Sequence, residues 1–328
     1  SMPREATTLN TWAVAIARTL DARGVDSAAL FREAGLDPAI LRDPNGRYPV
    51  VKMAEFWRLA VAESADPCLG LHAAAHVQPS TFRGVGLAMM ASQDLADALT
   101  RAARFSRIVS NAVDVVIERT DLGMKEVVQF LDGVPVVEEA IDLFMASTFK
   151  LGRVLTASEH LPAEVWLRRG GSPELRREFE AYFGCPVHFE SGENSLLIPH
   201  AWLKRPLPMA NPALARQNDR VVMEYLRGFD GARITEKVRA ELISRLPAGE
   251  PPRSAVAAAL GLGEKTLQRR LADEGGSFLQ VLEETRSDLA QQYMAEDGVS
   301  VCDVTFRLGF SDQSSFTRAF KRWTGMAP

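Results

Sequence analysis

"LGFSDQSSFTRAFKRWTG", residues 308–325, combines a sharp turn, an apolar stripe and three cations in one short stretch. Gly309 stands between two apolar residues, where glycine permits the positive φ that a tight turn between helices requires. Ser311 is the predicted N-cap of the helix that follows. Phe316 and Phe320 lie four residues apart, which predicts the buried face of that helix. Its cations are therefore expected on the exposed side.

A second, shorter helix is predicted directly before this turn. Val301, Val304 and Leu308 recur at helical spacing and predict its buried face. Two short helices joined by a glycine turn of three to four residues are typical of a helix-turn-helix. An earlier stretch, "SAVAAALGLGEKTLQRRLADEGG" at residues 254–276, repeats the pattern with Gly261 in the turn. The sequence therefore predicts two helix-turn-helix motifs.

The two predicted motifs are joined by a helical stretch, "SFLQVLEETRSDLAQQYMAEDG", at residues 277–298. Ser277 is its predicted N-cap, and Gly298 follows its predicted end. About 20 helical residues span about 30 Å, which is close to the roughly 34 Å that separates successive major-groove faces of B-DNA. We therefore expect the second helices of the two motifs to enter adjacent turns of one duplex.

Side chains near the start of each second helix, away from its apolar face, are the predicted DNA contacts. Arg and Lys bond to guanine edges, Gln bonds to adenine edges, and the Thr methyl group contacts thymine. The predicted base-reading residues are Lys265, Gln268, Arg269, Gln313, Ser314, Thr317 and Arg318. Cations later in these helices suit phosphates, which fix register without reading sequence. These residues are Arg270, Lys321 and Arg322.

Charge and composition narrow the function classes. The net charge is −4 over 328 residues, so any attraction to phosphates must come from a local patch and not from the whole protein. The three cysteines are widely spaced, which argues against a disulfide framework and for a reduced, cytoplasmic protein. No apolar run approaches the roughly 20 residues that span a bilayer. We expect no membrane association, no metal and no cofactor.

The chain is predicted to contain two domains joined by a linker. Residues 1–205 mix helical patterns with alternating, strand-like runs, which indicates an α+β domain that is mostly helical with a small sheet. Residues 206–230 begin with a Pro-rich segment and are predicted to form a helical linker. Residues 231–328 show only helical patterns and are predicted to form an all-α domain. Within the first domain, "SQDLADALTRAARFSRIVSN" (residues 92–111) predicts one long helix capped by Ser92.

Few residues of the first domain suggest a specific site. Arg101, Arg104 and Arg107 carry charges that could meet a carboxylate, but a solvated helix face is the favoured interpretation. His72 and His76 have a spacing that can hold a metal, but no third ligand is evident. The remaining candidates, Phe82, Met89, Met90 and Cys185, are predicted to be ordinary packing residues. Effector-binding residues therefore remain unassigned.

From residue 234 to the end, the sequence resembles the AraC/XylS family of bacterial transcription regulators. The stretches that carry the resemblance are "TLQRRLADEGGSF" and "GVSVCDVTFRLGFSDQSSFTRAFKRWTGMAP". The first domain is similar, through "FRGVGLAMMASQDLADALTRAARFSRIVSNAV" and "FGCPVHFESGENSLLIP", to a non-cupin subgroup with an arabinose-binding-like N-terminal domain. The resemblance implies an effector-responsive activator that binds promoter DNA and RNA polymerase, with a small-molecule effector and a homodimer as further partners.

Two other functions are weighed against this one. The protein could be a constitutive DNA binder whose first domain only oligomerises, and the sequence does not separate this from effector control. An enzyme fused to a DNA-binding module would need a reactive cysteine beside a histidine, a nucleophile elbow or a phosphate-binding glycine loop after a strand, and none is recognisable. We therefore predict that the protein is not an enzyme.

Overall fold

A computed structural model describes residues 5–229, 232–294 and 298–328. The chain divides into two compact units, one ending at Asp219 and the other beginning at Arg220. The division falls inside the segment 206–230 that the sequence predicts to be a linker. Each unit is described by itself below.

The first unit is built mostly from helices. The α-helices are α1 (Asn10–Asp21), α2 (Ser27–Glu33), α3 (Val50–Ser64), α4 (Leu69–Ala73), α5 (Gly84–Met90), α6 (Leu95–Arg104), α7 (Ser106–Val109), α8 (Glu138–Thr156), α9 (Pro173–Phe183) and α10 (His200–Leu203). Short 3₁₀ helices lie at Pro38–Arg42, Ala74–His76 and Pro79–Phe82. Helix α11 (Pro212–Gly228) contains the boundary between the units. Apolar stripes at helical spacing produce this unit's core, which includes Phe31, Phe56 and Phe149.

Two small sheets complete the first unit. Strands β1 (Thr7–Leu9) and β2 (Arg47–Pro49) form an antiparallel pair. The larger sheet contains β3 (Val113–Arg119), β4 (Gly123–Phe130), β5 (Glu164–Trp166), β6 (Val187–His188) and β7 (Asn194–Pro199), in the order β3-β4-β7-β5-β6. Strands β3 and β4 are neighbours in the chain and pair antiparallel as a hairpin. Strands β1, β2 and β6 contain only three, three and two residues, too few to show a period in the sequence.

The single helix predicted over residues 92–111 is wrong. The structure divides it into α6 and α7, and Phe105 lies between them with φ −101° and ψ 9°. The predicted N-cap is also wrong, because the Asp94 carboxylate accepts the bond from the Asp97 amide at 2.8 Å. The Ser92 hydroxyl instead donates to the Ala88 carbonyl at 2.9 Å, back toward α5.

The second unit is helical throughout its described part. After the end of α11 it contains α12 (Ile234–Arg245), a 3₁₀ turn (Leu246–Ala248), α13 (Arg253–Ala259), α14 (Glu264–Asp273), α15 (Phe278–Met294), α16 (Val301–Arg307) and α17 (Gln313–Thr324). One continuous core joins these helices, and its fully buried members include Val238, Leu242, Leu246, Val256, Leu267, Leu271, Val304, Leu308 and Phe316. Helix α15 contributes Val281 and Leu282 to the same core. A shared core holds both short helix pairs in one folded unit.

Candidate DNA-binding surface

Helix pairs α13–α14 and α16–α17 turn through the same backbone motif. In the first pair the Gly261 amide donates to the Ala258 carbonyl at 3.0 Å, and the Leu262 amide donates to the Ala257 carbonyl at 2.9 Å. This pair of bonds is a Schellman motif, which places a left-handed residue after the helix. Gly261 supplies it with φ +68°.

The second pair repeats these bonds. The Gly309 amide donates to Phe306 at 3.0 Å and the Phe310 amide donates to Thr305 at 3.1 Å, with φ +73° at Gly309. The positive φ predicted for this glycine is confirmed. A Cβ at Gly309 would also lie 2.9 Å from the backbone nitrogen of Glu250, so this turn has no room for a side chain. Nothing lies within 4 Å of the corresponding Cβ at Gly261.

The two second helices begin differently. Helix α17 is capped by Asp312, whose carboxylate accepts from the Ser315 amide at 2.8 Å, so the prediction of Ser311 as the cap is wrong. Asp312 carries a full negative charge beside the positive helix end, which favours it as the cap over its neighbour. Helix α14 begins at Glu264, and its N-cap Gly263 offers no side chain for a capping bond.

The residues predicted to contact DNA lie on the surface of the second unit. Among the predicted base-reading residues, Thr317 is half-buried and the others, Lys265, Gln268, Arg269, Gln313, Ser314 and Arg318, are exposed. The predicted phosphate-contacting residues, Arg270, Lys321 and Arg322, are exposed as well. None of these side chains belongs to the core of the unit. They are therefore accessible to a ligand from outside the unit.

Most of these cations have no acidic partner in the described part of the chain. Lys265, Arg269, Arg270 and Lys321 form no ion pair with any residue that the structure describes. Among the described residues, Arg318 donates only to the Ser315 hydroxyl, at 3.2 Å. Arg322 is the exception, because its guanidinium lies 2.5 Å from the Glu283 carboxylate of α15. The unpaired cations leave a positive surface that can attract phosphate.

Helix α17 concentrates positive charge within a unit that is not basic. From residue 230 onward the sequence contains 13 Lys and Arg against 14 Asp and Glu. Helix α17 itself contains three cations and no acidic residue. The carboxylate of Asp312, the residue immediately before α17, is already engaged as the helix cap. In α14, the acidic residue of the first turn, Glu264, pairs at 2.9 Å with Arg253 of α13. Glu264 is therefore not paired with any of the three cations of α14.

Arg286 of α15 connects the two helix pairs. Its guanidinium donates to the Leu308 carbonyl at 2.9 Å and to the Gly309 carbonyl at 3.2 Å, in the turn of the second pair. A third bond, at 2.8 Å, reaches Glu250 in the segment that leads into α13. The same guanidinium lies 4.2 Å from the centre of the Phe310 ring. With only 4% of its surface exposed, Arg286 fixes the turn before α17 relative to α15. The sequence patterns did not predict this role.

Two further contacts position α14 and α17. The Glu274 carboxylate, just after α14, accepts from the Ile234 and Thr235 amides at 2.7 and 3.0 Å and so caps α12. The Glu283 carboxylate of α15 accepts from the Trp323 indole of α17 at 2.9 Å. Each second helix is therefore attached to the rest of the unit by a carboxylate as well as by the core.

Comparison with known proteins finds matches in both units. Residues 24–207 match the family described as the arabinose-binding domain of AraC transcription regulator, and residues 256–328 match a helix-turn-helix domain. The chain is 30% identical to an uncharacterized HTH-type transcriptional regulator of Mycobacterium tuberculosis, over 93% of this chain and 90% of the relative. It is 28% identical, with the same coverage, to the ornithine utilization regulator of Pseudomonas aeruginosa.

The chain belongs to the AraC family of transcription regulators. It is a DNA-binding transcription regulator. Among solved structures, it is similar to the transcriptional regulator CdpR from Pseudomonas aeruginosa, with 22% identity, a TM-score of 0.49, and coverage of 97% of this chain and 96% of that chain. No helix in the described part of this AraC-family protein is both long and apolar enough to cross a membrane.

In the AraC-family N-terminal unit, the interpretation of Arg101 and Arg107 as a solvated face is wrong. Arg101 is 4% exposed and donates to the Asp219 carboxylate at 3.0 Å and to the Ser92 hydroxyl at 2.9 Å. Arg107 forms a bidentate pair with Asp114, with distances of 2.8 and 3.0 Å. These acidic partners are distant in sequence or on another element, so helical periodicity alone could not reveal them. The third arginine, Arg104, also has an interaction partner.

The other candidates of this unit have structural partners. His72 contacts Asp66 at 2.7 Å and Glu178 at 3.1 Å, while His76 lies on the following 3₁₀ turn. Within the described residues, no three His, Cys, Asp or Glu side chains gather in a way that could hold a metal ion. Phe82 and Met89 are buried, as predicted. Burial raises the pKa of the Cys185 thiol to about 11, so it is protonated at neutral pH and unreactive.

Proposed function

We propose that α13–α14 and α16–α17 are two helix-turn-helix motifs that place α14 and α17 in successive major grooves of a promoter. The carrying observation is the same Schellman turn in both pairs, each followed by a helix whose exposed side presents cations. Helix α15 separates the pairs, and its 17 residues correspond to about 25 Å of helix. The shared core and the Arg286 hydrogen bonds hold the two helix pairs in fixed positions relative to each other. Fixed positions are required if α14 and α17 are to enter two successive grooves at once.

The proposed roles follow from position along each helix. Lys265, Gln268 and Arg269 of α14, together with Gln313, Ser314, Thr317 and Arg318 of α17, read bases. The later cations, Arg270, Lys321 and Arg322, bind phosphates. Because Arg322 is already paired with Glu283, its phosphate contact must form in addition to that pair or replace it. We therefore expect Lys321 to contribute more to phosphate binding than Arg322.

Quantitative DNA binding with two variants tests these roles. Arg318→Ala should weaken binding to the specific site by about 1–3 kcal/mol and relax preference at one base position. Lys321→Ala should weaken binding to every sequence similarly and reduce the salt-dependence slope by about one. The matched control is Lys237→Ala, a cation of α12 outside the proposed surface. The assigned roles would be contradicted if Arg318→Ala weakened binding to every DNA sequence equally, or if Lys321→Ala left the salt dependence of binding unchanged.

We also propose that the predicted first domain, residues 1–205, binds a small effector that changes the DNA affinity of residues 231–328, with residues 206–230 as the linker. The match to an arabinose-binding domain over residues 24–207 supports an effector. A relative of this chain is named the ornithine utilization regulator, and this link to a metabolite also supports an effector. In this proposal the protein acts in the cytoplasm as a homodimeric activator that contacts RNA polymerase and has no enzymatic activity.

Gel-shift titration of the full chain, with and without candidate metabolites, tests effector control. A metabolite that shifts the apparent Kd for promoter DNA supports the proposal, because coupling requires different affinities in two states. A Kd that no metabolite changes, combined with promoter activation in their absence, favours the alternative of a constitutive binder whose first unit only oligomerises. Analytical ultracentrifugation of the same samples tests the homodimer.

A further inference from the structure

The first unit contains an apolar pocket of about 110 Å³ that is partly open to solvent. It lies among α1, α3, α7, α8 and the β3–β4 hairpin. Its lining includes the rings of Trp12, Trp57, Phe130 and Phe144 and the side chain of Met53. None of the residues found to line it carries a charge. All of these elements belong to the first unit, so the cavity is a property of that unit alone.

We propose that this cavity is the effector site and that the effector is an uncharged, apolar molecule of about the size of one aromatic ring. The inference rests on the effector-binding role proposed above and specifies the chemical class of the ligand. Apolar lining with a few polar groups is the common composition of small-molecule sites in proteins. The description of the matching family would instead suggest a sugar.

Few polar groups are available for a sugar or an amino acid. The Thr8 hydroxyl donates to the Val109 carbonyl at 3.1 Å, so its proton is already used. The Ser110 hydroxyl accepts from the Ala112 amide at 3.4 Å. Ser106 is the one lining hydroxyl with no hydrogen bond to any residue that the structure describes. The Ser106 hydroxyl and the indole N–H groups of Trp12 and Trp57 are fewer polar groups than the several hydroxyls of arabinose require, and a buried polar group without a partner weakens binding.

Charged ligands are disfavoured for the same physical reason. Ornithine carries ammonium and carboxylate groups, and moving them from water into a site without counter-charges is strongly unfavourable. The volume limits the part of a ligand that the pocket can surround, and a dry apolar cavity of about 150 Å³ in another protein holds benzene. A cavity of about 110 Å³ therefore suits one ring or a short branched chain. Ser106 can serve a single hydroxyl on such a ligand.

Thermal denaturation of the full chain with three probes tests the assignment. Toluene should raise the melting temperature saturably, whereas arabinose and ornithine should not act through this cavity. Ala54→Phe, on the cavity wall in α3, should fill the space and weaken toluene binding at least about tenfold, because overpacking leaves no room for the ligand. Ala62→Phe, at an exposed position of the same helix, is the matched control and should bind toluene like the wild type.

Ala140→Leu, which adds a smaller side chain to the cavity from α8, replaces Ala54→Phe if circular dichroism shows that the larger substitution unfolds the unit. The proposal is overturned if toluene does not shift the wild-type melting temperature, if a folded cavity-filling variant binds toluene normally, or if these variants abolish binding of arabinose or ornithine. Gel shifts on promoter DNA without any probe are run in parallel. If the wild-type protein does not bind promoter DNA in these gel shifts, the proposed function is contradicted. If it binds DNA but not toluene, only the assignment of the effector site is contradicted.

Discussion

Arg286→Met tests whether one buried guanidinium holds the two helix pairs together. The substitution keeps a long apolar side chain but removes the bonds to the Leu308 and Gly309 carbonyls and to Glu250. It also removes the contact with the Phe310 ring. Because Arg286 is 4% exposed, water cannot readily replace the donors that these carbonyls lose.

The size of the effect follows from these contacts. Hydrogen bonds from a charged donor contribute about 1.5–3 kcal/mol each, so the two carbonyl bonds account for at least about 3 kcal/mol. The Glu250 side chain is 54% exposed, so its ion pair adds less than about 1 kcal/mol. For a unit of about 100 residues, 1 kcal/mol corresponds to about 4–8 °C in Tm. We therefore expect the transition of the second unit to fall by at least about 12 °C.

Differential scanning calorimetry of the full chain measures this shift, and gel shifts on promoter DNA measure its consequence. Arg269→Met is the matched control, because that arginine is exposed and unpaired among the described residues. It should change stability by less than about 0.5 kcal/mol while weakening specific DNA binding. Arg286→Lys should recover part of the stability, since a single ammonium cannot reach all three acceptors with fixed geometry. A Tm for Arg286→Met within about 4 °C of the wild type would refute the reasoning.

Three further measurements probe features that are independent of Arg286. Gly309→Ala should destabilise the second unit by about 2–4 kcal/mol, from left-handed strain and a clash with the Glu250 backbone, whereas Gly261→Ala, with open space, should cost only about 1–2 kcal/mol. Equal losses in urea denaturation would show that the clash is unimportant. Burial raises the pKa of Glu126 to about 7, above its unfolded value near 4.3, so its contribution to stability is complete below about pH 4 and is lost as the pH rises through about 7. Glu126→Gln should therefore remove about 4 kcal/mol of pH-dependent destabilisation, and an unchanged stability profile between about pH 4 and 8 would exclude this carboxyl as its source. Arg101→Met should destabilise the first unit by about 3–5 kcal/mol because it leaves the Asp219 carboxylate buried without its partner; a loss below about 1 kcal/mol in calorimetry would mean that solvent reaches this carboxylate.

Several features of the DNA-binding unit could be predicted from local sequence. A glycine at the end of a short apolar helix specifies a left-handed turn within a few residues, and Gly261 and Gly309 both adopt it. The spacing of Leu267 and Leu271 fixes the buried face of α14, and both are fully buried. The exposed side then follows by exclusion. The β3–β4 hairpin was predictable for the same reason, since its pairing is between neighbouring segments.

Competing local signals were resolved only by the folded geometry. Ser311 and Asp312 are both good N-cap residues, and only the bond to the Ser315 amide identifies the aspartate as the cap. Residues 92–111 have an apolar stripe long enough for one helix, but tertiary packing buries Phe105 where α6 and α7 separate. Periodicity reports which face is buried, and it does not report where the chain must bend to bury it.

The amino-acid sequence by itself determined the two helix pairs, their turns and their exposed cations, because these depend on contacts within about 25 residues. The tertiary structure decided which charges are buried. The sequence favoured a solvated face for Arg101, but α6 places it beside the Asp219 carboxylate, and α15 buries Arg286 against the Leu308 carbonyl. The tertiary structure alone also formed the apolar cavity, whose walls come from segments as distant as Trp12 and Phe144. The interactions between such segments depend on the folded chain as a whole, and no local pattern records them.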